Sequence, residues 1–157
     1  MSWHGTKFRA MHPPAEWCYH VEAAVTDRNG KYSTPSWSSP SNGAMIWTYS
    51  KNTRFEAFKP GYVQSSETSS VPIRLERYQG TRELYFSYLR HVTANFCGVA
   101  DGSEANLADL LDEISAEAKS IAATSEEVEI AESIGRSGTE IRRRASERAS
   151  SRSTLSK

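Results

Sequence analysis

Polar and apolar residues alternate in short runs over the first eighty positions, and the spacing changes after Thr81. His20 to Thr26 places Val21, Ala23 and Val25 on one side of a period-two pattern. Lys31 to Thr34 and Ala44 to Tyr49 are further short runs. Arg54 to Phe58 sets Phe55 and Ala57 against Glu56 and Phe58. Tyr62 and Val63 follow, and Val71, Ile73 and Leu75 then alternate with Pro72, Arg74 and Glu76 as far as Tyr78. Period two is the signature of strands with one buried face. Five or six such runs, each bounded by a turn signal, predict a mainly-β fold, a small antiparallel β-sandwich.

Two turns punctuate these runs. Asp27-Arg28-Asn29-Gly30 lies between two strand-like segments, and Asn-Gly tolerates the positive φ of a tight hairpin. Pro35 ends the return strand because it has no N–H for a ladder. Lys59-Pro60-Gly61-Tyr62 reads as a type II turn, with Pro presetting φ at the second position and Gly accepting positive φ at the third.

Helical spacing begins at Thr81, a capping residue with Glu83 in the first turn. Leu84, Tyr85, Tyr88, Leu89 and Val92 form its apolar stripe. Asp101-Gly102-Ser103-Glu104 resembles a capping box for a second helix. That helix carries Leu107, Leu110, Leu111, Ile114, Ala118 and Ile121 on a narrow face. The face either docks on the protein's own sandwich or mediates self-association or a partner contact; it is too short for a coiled coil. Ser125 caps a third piece holding Val128, Ile130 and Ile134, which Gly135 and Gly138 are expected to end. The resulting division is an irregular segment 1–17, a sandwich 18–80, a helical extension 81–135 and a basic, disordered tail 136–157.

Three strings in this order resemble one known module: Thr26-Asp27-Arg28-Asn29-Gly30-Lys31-Tyr32, then Pro35-Ser36-Trp37, then Phe58-Lys59-Pro60-Gly61-Tyr62. They are similar to the carboxypeptidase regulatory-like domain, a transthyretin-like (prealbumin-like) β-sandwich, over about Val21 to Tyr78. The resemblance implies that Asp27, Gly30, Tyr32, Pro35, Trp37, Phe58, Lys59, Pro60, Gly61 and Tyr62 are structural positions. It also implies a non-catalytic accessory module with a structural or protein-interaction role in a bacterial envelope, and no catalytic residues. The chain departs from the pattern in two places. Met1 to Trp17 reads as loop where an opening strand belongs, which suggests a misassigned or truncated start, and Trp37 is followed by Ser38-Ser39-Pro40.

Composition adds limits. Nineteen basic and nineteen acidic residues give a formal net charge of zero, so no global field favours nucleic acid or a membrane surface. No apolar run is long enough to span a bilayer. No signal peptide is visible, which read literally means cytoplasmic; the resemblance implies the periplasm or envelope. No aromatic follows Phe96, so the core is expected in the first hundred residues. From Asp101 to Gly135 there are ten carboxylates and one Lys; from Arg136 to Lys157 there are seven basic residues and two Glu. These opposite signs pair within or between chains, or simply solvate a helix and a frayed tail.

Candidate chemistry is sparse. His4, His12, Cys18 and His20 cluster in sequence, and Cys18, His20 and Glu22 share one side of a strand. This supports an alternative reading as a metal-binding or hydrolytic protein, although the spacing fits no established zinc pattern and a solvated strand face explains the same residues. Cys18 and Cys97 either form one disulfide or stay unpaired, as the compartment decides. Arg142, Arg143, Arg144, Arg148 and Arg152 supply charge for phosphate, but Glu140 and Glu147 dilute it and no aromatic is present for base stacking. No cofactor is indicated.

Overall fold

The computed structural model describes residues 2–9, 12–33, 51–65, 73–94 and 104–155, with 2–20, 51–54 and 152–155 described by backbone alone. Three helices dominate. They are α1 (Arg82–Ala94), α2 (Glu104–Ile121) and α3 (Ser125–Leu155). Among the described residues five strands precede them: β1 (Ser2–Arg9), β2 (His12–Val21), β3 (Lys51–Arg54), β4 (Tyr62–Gln64) and β5 (Leu75–Arg77). The sheets are small, one antiparallel in the order β2-β1-β3 and one the antiparallel pair β4-β5.

The mainly-β sandwich, and with it the transthyretin-like architecture, is therefore not the fold of this chain. The predicted strands shrink or vanish. His20 to Thr26 is a strand only as far as Val21, and Val25, assigned to the buried side, is 80% exposed. Residues 31–33 and 55–59 have no ladder either. The stretch 44–49 and the residues Pro35 and Trp37 lie outside the described residues. Conversely, part of the segment 1–17 expected to be irregular forms the β1–β2 ladder. Alternation over four or five residues is a weak signal, and the helices supply the larger apolar surface.

The helices form for local reasons. Thr81 caps α1 through its hydroxyl, which accepts from Leu84 N at 3.4 Å. The buried stripe is Tyr85, Phe86, Leu89 and Val92; Leu84, expected in it, is 64% exposed. Thr124, rather than Ser125, caps α3. Its Oγ1 accepts from Glu127 N at 3.2 Å, while Glu127 Oε2 accepts from Ala123 N at 2.7 Å and Thr124 N at 3.2 Å, a reciprocal capping box. The same carboxylate receives Arg82 Nη1 at 2.7 Å, and Arg82 Nη1 also donates to Ile121 O at 3.1 Å. One Arg–Glu pair thus joins the start of α1, the end of α2 and the start of α3.

Helices α2 and α3 form an antiparallel hairpin across residues 122–124. Ser115 Oγ donates to Ala131 O at 2.7 Å near the turn, Arg142 reaches Asp109 and Asp112 further along, and Arg148 meets Glu104 where α2 begins. The backbone after Arg148 extends past the start of α2. Small residues allow a close approach. Ala108, Ser115 and Ala118 are buried on α2, as is Ala131 on α3. A Cβ at Gly138 would lie 3.0 Å from Ala108 O, and one at Gly135 would lie 2.9 Å from Ser115 Oγ. Both glycines sit inside α3 and face α2, so neither ends the helix as their composition suggested.

The disordered tail is likewise corrected, since α3 runs to Leu155. Its arginines are paired at helical spacing: Arg143 with Glu140 at 2.7 Å and with Glu147, and Arg144 with Glu140 at 2.7 Å. Arg142 is held by Asp109 at 2.6 Å and Asp112 at 2.7 Å. The acidic and basic blocks therefore pair within the chain. The core is mostly helical too: Leu89, Leu107, Ile114 and Val92, joined by Val21 at the end of β2, are its largest fully buried side chains. Phe58, Val63 and Tyr78 cover its edge.

Candidate functional site

The Lys59–Tyr62 turn is built as its sequence predicts. Tyr62 N donates to Lys59 O at 3.0 Å, and Gly61 takes φ of 76°. Its role is to dock on the helices. Gly61 N donates both to Tyr85 Oη at 2.7 Å and to Glu117 Oε1 at 3.0 Å, and Tyr85 O–H donates to the same Glu117 oxygen at 3.0 Å. Gly61 O accepts from Tyr78 N at 2.9 Å. The Tyr78 and Tyr85 rings stack at 4.9 Å, and Tyr88 Oη accepts from Gln64 N at 3.2 Å.

Burial pushes the Tyr85 phenol up to about 12, with Glu117 acting in the same direction. The neutral phenol donates to Glu117 and accepts from Gly61 N, so the three groups tie the turn to α1 and α2. Lys59 adds its ammonium over the Tyr62 ring at 4.2 Å.

The first turn is also present, with a different geometry from a two-residue Asn-Gly hairpin. Gly30 N donates to Asp27 O at 3.0 Å, and Gly30 takes φ of 74° as the residue closing a three-residue loop. Asp27 Oδ1 accepts from Asn29 N at 2.8 Å and Lys31 N at 2.9 Å. Tyr32 remains partly exposed beside it.

The His/Cys cluster falls on β1 and β2. Their register sets His4 opposite Cys18, with an irregularity between Trp3 and His4, and His20 opposite Trp3. His12 stands opposite Arg9 at the far end of the ladder, away from the others. The side chains of His4, His12, Cys18 and His20 lie outside the described residues, as does Cys97. Among the described residues no group of three or more His, Cys, Asp or Glu is placed to hold a metal ion.

The proposed self-association face is largely used internally. Leu107, Leu111 and Ile114 are buried in the chain's own core, and Leu110 and Ile121 pack at its edge. Among the described residues no helix is long and apolar enough to cross a membrane.

Among the described residues, two concavities stand out. A cavity of about 220 Å³ lies between the Glu22–Tyr32 segment, Phe55–Phe58 and α2; Asn106 Nδ2 donates to Ala23 O at 3.1 Å at its wall. A wider groove of about 880 Å³ runs between α1 and α3 over Leu107 and Leu111 of α2. Its α3 wall is a line of residues at three- and four-residue spacing: Glu126, Ile130, Ser133, Ser137, Ile141 and Arg144. Ile130 and Ile141 are half-buried, and the other four are exposed. The rim carries Glu126 and Glu129 near the start of α3, Arg136, Glu140 and Arg144 further along it, and Arg90 on α1. Sequence reading missed this line because Gly135 and Gly138 divided it in two. The spacing of four and then seven residues between Ile130, Ile134 and Ile141 was the available signal.

No protein-family model matches the chain, and the searches of curated proteins and of solved structures find no match. The resemblance to the carboxypeptidase regulatory-like domain is carried by its three strings alone.

Proposed function

We propose that this chain is a non-catalytic interaction module whose binding surface is the α1–α3 groove. The observation that carries the reading is the groove itself, with an apolar floor and a rim acidic at Glu126 and Glu129 and mainly basic, around Glu140, at Arg136, Arg144 and Arg90. Among the described residues, Glu126 and Glu129 hold no ion pair. Arg144 engages Glu140 through Nε, and its two terminal nitrogens hold no described carboxylate. The occupant that fits is an amphipathic helix with apolar residues at three- and four-residue spacing, a basic end over Glu126 and an acidic end over Arg144. The clamp chemistry at Tyr85 and Glu117 supports a non-enzymatic role, because its polar groups satisfy one another rather than face an open site. The accessory role that the resemblance implies is kept here on helices.

The test uses two labelled helical peptides of one composition, an Ile/Leu stripe with opposite charges at its ends, differing only in charge order. Fluorescence anisotropy should show the matched order binding about tenfold more tightly than the reverse. Ile141→Asp should abolish the difference. Equal binding of both peptides, or binding indifferent to Ile141→Asp, would sink the reading.

A further inference from the structure

We infer that the helix occupying this groove is α3 of a second copy of the chain, laid antiparallel about a two-fold axis at Gly135. The inference rests on the groove reading above and names its partner.

The argument is charge and symmetry. Helix α3 is itself an amphipathic helix of the required kind. Its first turns carry Glu126, Glu127, Glu129 and Glu132, and in its later turns Arg136, Arg142, Arg143, Arg144 and Arg148 outnumber Glu140 and Glu147. Two such helices side by side in parallel set like charges together; antiparallel, they set opposite charges together. A two-fold pairing also has to be self-complementary, so each residue must suit its own mirror position. The groove line meets this condition at its ends and at its centre. Glu126 and Arg144 are equidistant from Gly135, so each copy's Glu126 faces the other's Arg144. Ser133 and Ser137 are likewise equidistant and face each other near the axis, where small side chains permit close approach. Ile130 mirrors Glu140 and Ile141 mirrors Glu129, so the half-buried isoleucines of the two copies lie one residue out of register, between the centre and the ends, each flanked by a groove-lining carboxylate.

The face is also the correct one. Ala131, Gly138 and Arg142 point to α2 and are already used within the chain. The groove line lies about a third of a turn away from them, where α1 and α3 leave the floor open. Salt should weaken the association because its specificity comes from rim charges.

Sedimentation equilibrium of the full chain at low and high salt tests this, with circular dichroism confirming helix content in each variant. The expected result is a dimer that weakens with salt. Glu126→Arg and Arg144→Glu should each weaken it about tenfold, and the two changes together in every copy should restore it, because the reversed pair reforms. A chain monomeric at about 100 µM in low salt overturns the inference. So does a dimer unaffected by either single change, or a double variant as weak as the singles. A monomer that still binds the charge-matched peptide refutes the second copy and leaves the groove reading standing. A monomer that ignores the peptide refutes both.

Discussion

The α2–α3 hairpin and the turn-rich segments before α1 are held by different physics. The hairpin is close-packed by absence: where Gly138 and Gly135 meet α2, the two backbones approach because no Cβ stands between them. The turns at Gly30 and Gly61 use glycine for the opposite reason. Each takes positive φ, and nothing lies within 4 Å of where a Cβ would stand. The same residue type therefore serves packing in one region and backbone geometry in the other. A substitution should reveal which, since packing has no slack and a turn exacts only a conformational cost.

The largest expected effect follows from that contrast. Gly138→Leu should destabilise by about 3 kcal/mol or more, because the neighbouring group is the Ala108 carbonyl and the helices must separate. Gly30→Ala, with open space around it, should cost only about 1 to 2 kcal/mol of backbone strain. Urea unfolding of both variants measures the difference, and equal losses would erase the comparison.

A middling effect is expected where the two regions meet. Tyr85→Phe removes the hydroxyl that accepts from Gly61 N and donates to Glu117, at a cost of about 1 to 3 kcal/mol. Hydrogen exchange at Gly61 should accelerate in the variant while amides in α3 keep their protection. Acceleration in α3 as well would show that the clamp supports the hairpin.

The smallest effect concerns the ion pairs along α3. Arg143 and Arg144 hold the Glu140 carboxyl down at about 2, and Arg82 followed by the Ala123 amide holds Glu127 below the ordinary carboxylate range. A folded-state pKa lowered in this way adds stability above the unfolded value of 4.5, and that stability is lost as pH falls towards the folded value. Glu140→Gln should therefore lower Tm slightly at pH 7, with the gap to the unaltered protein closing between pH 4.5 and pH 2. A gap that stays constant with pH would mean Glu140 acts through packing.

What could be read in advance was local. The Gly61 turn needs only its own four residues, and Thr81 with the residues after it sufficed for α1. The glycine-lined contact could not be read this way, because Gly135 is a stop signal until another helix lies against it. The same holds for the tail. Arg142 looked solvated because its partners, Asp109 and Asp112, lie about thirty residues away. The sandwich failed on the same ground: the residues between Val21 and Tyr78 have the pattern of strands, yet the available surface to cover was helical.

The three-residue connection between α2 and α3 carries a consequence for how the chain reaches this state. Closing the hairpin orders few residues, whereas the Asn106–Ala23 hydrogen bond closes a loop of more than eighty and the Gly61–Glu117 contact one of more than fifty. The hairpin is then the natural nucleus, and the turns latch to it afterwards. It also lies downstream of the turns, so during synthesis the earlier segments leave the ribosome before the surface they need exists.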